Sequence, residues 1–153
     1  MPFLETKIPP PIVGLLFILI MWLASQFGPS FSLPASVLLP MSGLIVLLGF
    51  AFPIAGSMAF KKAKTTVNPL QPEKASKLVI LGIFRYSRNP MYLGLSLVLV
   101  AWGLYLSSYA ALALVPVFML YINTFQILPE ERALKEKFGS DFEDYQNSVG
   151  KWL

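Results

Sequence analysis

Residues 89–129 read NPMYLGLSLVLVAWGLYLSSYAALALVPVFMLYINTFQILP, and no charged side chain interrupts them between Arg88 and Glu130. A helix needs about 20 apolar residues to cross roughly 30 Å of hydrocarbon, so this run holds two spans rather than one. Ser107-Ser108-Tyr109 breaks it in the middle. The stretch between Lys7 and Lys61 is equally free of charge and breaks at Gly28-Pro29-Ser30-Phe31-Ser32-Leu33-Pro34. The sequence therefore predicts an all-α polytopic membrane protein, one membrane-embedded domain over 1–153. Its four spans, at about 10–28, 36–60, 90–107 and 109–128, form two helical hairpins.

Composition agrees. Of 153 residues, 56% are hydrophobic and 13% charged, about half the charge of an ordinary soluble domain. The charges fall into three blocks, at 1–7, 61–88 and 130–153, and an even number of spans puts all three on one side. The middle block holds Lys61, Lys62, Lys64, Lys74, Lys77, Arg85 and Arg88 against Glu73 alone, so that side is expected to be the cytoplasm, with both termini. Glu5 offsets Lys7 and no A-x-A-like site follows, so no cleavable signal is expected. The net charge of +4 reads as topology and headgroup attraction; nucleic acid is not an expected partner, since basic and aromatic residues are not interleaved. Cysteine and histidine are absent, which removes disulfides, thiol nucleophiles, histidine triads and ordinary zinc sites; no metal is expected.

Between the hairpins, Thr65–Pro72 favours extended, turn-rich backbone, and Leu78-Val79-Ile80-Leu81 should be buried against something. The tail predicts two helices. Pro129, Glu130 and Glu131 suit the first turn of one, Gly139 stops it, and Ser140-x-x-Glu143 is a capping box for the next. Phe138, Phe142, Tyr145, Val149 and Trp152 then make one apolar face, expected to lie at the headgroups as a cytoplasmic amphipathic helix.

Closing the second hairpin brings Arg88 and Glu130 together, so Arg85, Arg88, Asn89 and Tyr92 should face Gln126, Glu130 and Glu131. An arginine and a tyrosine at a membrane border can merely snorkel and anchor. If the cluster is an active site, it suits a reaction governed by alignment of two reagents, such as methyl transfer from a sulfonium donor.

SKLVILGIFRYSRNPMYLG (76–94) and PEERALKEKFGSDFEDYQNSV (129–149), separated by one membrane hairpin, resemble the isoprenylcysteine carboxyl methyltransferase and phospholipid methyltransferase superfamily. The first follows that group's LVxxGxYxxxRHPxYxG pattern, and the resemblance covers about 65–152. It implies an integral-membrane methyltransferase dependent on S-adenosylmethionine, acting on a lipophilic or small-molecule acceptor that enters from the bilayer. By position it implies a cofactor site lined by Ser76, Lys77, Leu78, Val79, Phe84, Asn89, Pro90, Met91, Tyr92 and Glu130, and a substrate contact at Gln126. Asn89 stands where the group has histidine, and Gln126 where it has an arginine that holds a prenylcysteine carboxylate. A lipid amine, a thiol or a hydrophobic small molecule is then as open as a carboxylate. An NADPH-dependent membrane reductase and a non-catalytic membrane subunit are the alternative readings.

Overall fold

The computed structural model describes residues 5, 7–64 and 77–153; Thr65–Pro72 and Ser76 lie outside them. The described chain is helical, with no strand. Helix α1 covers Pro10–Ser25, α2 Ala35–Ala63, α3 Pro90–Tyr105, α4 Tyr109–Ile122, α5 Leu128–Phe138 and α6 Ser140–Ser148. A 3₁₀ turn at Gly82–Arg85 precedes α3, and a π turn at Asn123–Ile127 joins α4 to α5 without a break.

Helix boundaries follow local chemistry. Pro10 and Pro90 each sit in a first turn, where a missing N–H costs nothing. Ser108 caps α4 by accepting from the Ala111 N–H at 3.2 Å. The π turn has a cause in Pro129, whose ring would strike the Phe125 carbonyl four residues back in an ideal helix. The Leu128 N–H instead reaches five residues back, to the Asn123 carbonyl.

Helix α3 is central, packed on α2, α4 and α1. Its closest approach to α2 is glycine-mediated. A Cβ on Gly49 would lie 2.7 Å from Val98 Cγ2, and one on Gly94 would strike the Gly49 carbonyl and lie 2.5 Å from Pro53 Cδ. Against α4, α1 packs Phe17 edge-on to Phe118 at 5.2 Å, within a core that includes Met21, Leu99, Val115, Ile122 and Ile127. The connections 26–34 and 106–108 meet at one end of the bundle, where the Phe31 N–H donates to Ser107 O and the Tyr109 N–H to Pro29 O.

Leucines 15, 16, 44, 47 and 120 face outward, an apolar surface too extensive for water. Helix α2, and the unbroken helix Tyr109–Phe138, are long and apolar enough to cross a membrane; α1 and α3, at 16 residues each, are shorter. Three expectations change. Helices α1 and α2 do not pack on each other along their lengths, because glycine contacts draw α2 to α3 and aromatic packing draws α1 to α4. The capping box does not form: Gly139, at φ 55°, turns the chain, Ser140 already begins α6, and Glu143 pairs with Lys135 at 2.9 Å. Finally, the apolar tail face does not lie free for headgroups. Phe142 and Tyr145 are buried with Phe84 against Phe60, Leu78 and Val79, and the helix ends before Val149 and Trp152.

Candidate functional site

The start of α3 and the start of α5 converge. The Tyr92 hydroxyl, buried one turn into α3, donates to Glu130 Oε1. Among the described residues no cation pairs with Glu130, although its neighbour Glu131 is doubly engaged. Glu130 lies past the end of the apolar run. Burial pushes its carboxyl up to about 8, the Tyr92 hydrogen bond working against that rise and the charge of Glu131 adding to it.

Beside this pair lies an apolar cavity of about 320 Å³ between α1, α2 and α3. Tyr92 and Met91 line it together with Pro10, Gly49, Pro53 and Leu95. The gap between α1 and α2 leaves this space.

Arg88 belongs to a different set of contacts. Its guanidinium donates to Glu131 Oε1, at 2.8 Å from Nη2 and 3.2 Å from Nε, and Nη1 donates to the carbonyls of Gln146 and Val149. The Arg88 N–H adds a bond to the Gly150 carbonyl at 3.0 Å. Asn89 continues the seam, its Nδ2 donating to the Lys151 carbonyl at 3.0 Å. Lys151 Nζ lies 2.9 Å from Asn123 Oδ1 and 3.7 Å from Glu131 Oε2. Arginine, with five donors in a rigid fork, suits such multipoint anchoring. Arg88 and Asn89 thus bind the C-terminal tail down beside the pocket. Tyr145 helps, donating to Phe84 O at 2.7 Å; burial pushes its phenol up, with the Arg88 charge opposing.

Gln126 is wholly buried in the π turn, and its Nε2 donates to Ile8 O at 2.9 Å. Since a carbonyl can only accept, the amide orientation is fixed, and Oε1 is left buried without a donor among the described residues.

The residues singled out by sequence therefore divide. Asn89, Pro90, Met91, Tyr92 and Glu130 come together at the convergence of α3 and α5. Leu78, Val79 and Phe84 belong to the cluster around Phe142, and Lys77 and Arg85 are exposed. Ser76 lies outside the described residues. Sequence reasoning missed Lys151, Asn123 and Ser87 as partners of the 88–89 corner. Ser87, fully buried, accepts from the Asn89 N–H at 3.1 Å. The available signal was an arginine with more donors than one carboxylate can take.

Comparison with known proteins bears on this geometry. An uncharacterized protein of Haemophilus influenzae is 46% identical over 63 residues, 41% of this chain and the whole length of that protein. No solved structure matches the chain. The phospholipid methyltransferase family model matches residues 38–141, from α2 through the start of α6. The chain belongs to the phospholipid methyltransferase family.

Proposed function

We propose that this protein is an S-adenosylmethionine-dependent methyltransferase that crosses the membrane four times with both termini in the cytoplasm, and methylates a lipophilic acceptor. The observation that carries the reading is the part-buried Glu130, held by the neutral Tyr92 phenol beside an apolar cavity and paired with no cation among the described residues. Such a carboxylate fits the ammonium of an amino-acid-bearing cofactor. The bound cofactor supplies an activated sulfonium methyl group. Glu130 would hold its charged end, Tyr92 fixes the carboxylate's orientation, and Met91 lines the adjoining cavity, with Asn89 and Pro90 just before it at the start of α3. Leu78, Val79 and Phe84, packed around Phe142, brace the site from the segment before α3.

The protein contributes alignment and exclusion of water, which suits a chain with no histidine or cysteine to relay protons or attack. Gln126 favours an acceptor that donates an N–H or O–H bond, because its orphaned oxygen attracts a donor and repels a carboxylate.

The test is transfer of a labelled methyl group from S-adenosylmethionine into a panel of lipid amines, alcohols, thiols and prenylcysteine carboxylates. Label in a lipid amine or alcohol, lost in Glu130→Gln, supports the reading. Transfer confined to carboxylates overturns the role of Gln126. No transfer, with NADPH oxidation instead, overturns the activity.

A further inference from the structure

A second surface, outside the pocket, also carries a ligand chemistry. The segment from Lys77 to Tyr86 has two unlike faces. Leu78, Val79, Ile83 and Phe84 turn inward to pack with Phe142, Tyr145, Ala59 and Phe60. Lys77, Ile80, Leu81, Arg85 and Tyr86 turn outward, with Leu81 67% and Tyr86 69% exposed.

The inward face holds the segment against the last turns of α2. Phe60 meets Phe84 edge-on at 5.1 Å, and a Cβ on Gly82 would lie 3.9 Å from that of Ala59. Lys61, Lys62 and Lys64, all exposed, follow immediately on α2. The junction therefore gathers five exposed cations around three exposed large side chains, Ile80, Leu81 and Tyr86. No ion pair joins any of these cations to a described carboxylate; Glu5, Glu131 and Glu143 pair instead with Arg132, Arg88 and Lys135. Glu73 and Lys74 lie outside the described residues and carry opposite charges.

Five exposed cations, none paired with a described carboxylate, beside an apolar tip have a complementary partner in an anionic lipid surface. The tip enters the acyl–headgroup boundary, and the ammonium and guanidinium groups reach phosphates. The site lies where the apolar run of α2 gives way to charge, which is headgroup depth for a helix that spans.

We infer that Lys61, Lys62, Lys64, Lys77 and Arg85, with Ile80, Leu81 and Tyr86, form a binding surface for anionic phospholipid headgroups of the protein's own bilayer. This surface is independent of the methyl-transfer pocket. Lipid here is a ligand that recruits or orients the 77–86 segment, not the methyl acceptor.

The test uses the full chain in nanodiscs, with Tyr86→Trp as a local probe and the parent chain subtracted to remove Trp22, Trp102 and Trp152. Brominated phosphatidylglycerol and brominated phosphatidylcholine are each supplied at the same minor fraction. The inference expects the anionic lipid to quench the probe at least about twofold more strongly, since each basic residue near an anionic surface adds measurable attraction. That excess should vanish when all five cations are replaced by glutamine, and shrink at high salt in the unsubstituted background. Equal quenching by the two lipids overturns the inference, as does an excess that survives both the fivefold substitution and salt. The salt arm decides the matter if the fivefold variant fails to insert.

Discussion

Glu130, Arg88 and Gln126 are three polar residues within one small region, and each does something different. Glu130 is the carboxylate that no described cation pairs with. A cationic ligand binds its ionised form, and the carboxyl sits at about 8. Affinity for S-adenosylmethionine should therefore rise by about 25-fold between pH 6 and 7.5 as the proton leaves. Titration calorimetry across that range should show the rise, and Glu130→Gln should flatten it. Arg88 is a staple instead. Arg88→Ala leaves the Glu131 carboxylate to Lys151 alone and strands the carbonyls of Gln146 and Val149, costing about 3 kcal/mol of tail attachment. Limited proteolysis should then cut after α5 far faster than in the unsubstituted protein. Gln126→Arg should lower transfer to donor-bearing acceptors by at least about tenfold and raise it for carboxylates. The sequence carried the identity of these residues and their convergence, because a closed hairpin must bring its ends together. It did not carry the division of labour, which depends on the tail returning to Arg88 from residues 146–151, and nothing in a local pattern encodes that return.

At the scale of elements, two features position the site. The first is the π turn forced by Pro129, which sets the rotation of Gln126 and Asn123 relative to Glu130. Pro129→Ala restores the missing N–H and lets the turn relax toward ordinary α-helix. Helix content measured by circular dichroism should hold, while methyl transfer falls about tenfold or more as the constellation shifts. The second is the close crossing of α2 and α3 at Gly49 and Gly94. Gly94→Ala should cost about 1–3 kcal/mol through overpacking, seen as a lowered melting temperature in detergent. Gly43→Ala, with open space around its Cβ position, should not. Sequence patterning located these helices well because uncharged runs and prolines are local signals. It assigned the wrong packing partner to α2, since the choice between α1 and α3 depends on which glycines align across a crossing. The tail face was legible as apolar but not its destination, because an apolar stripe fits a membrane surface or a neighbouring protein segment equally well.

For the molecule as a whole, the two uncharged connections meet at one end, while the tail, the 3₁₀ turn and the start of α5 gather at the other. The four-span topology proposed above puts that second end in the cytoplasm. Because the chain has no cysteine, single cysteines at Ser32 and at Lys137 should report opposite sides to a membrane-impermeant thiol reagent. The most direct test of the account is calorimetric binding of S-adenosylmethionine to the purified protein. The account predicts saturable one-site binding, weakened about 100-fold in Glu130→Gln and about tenfold in Tyr92→Phe, with both variants folded. Undiminished binding in Glu130→Gln, or binding of NADPH and not of S-adenosylmethionine, would contradict it.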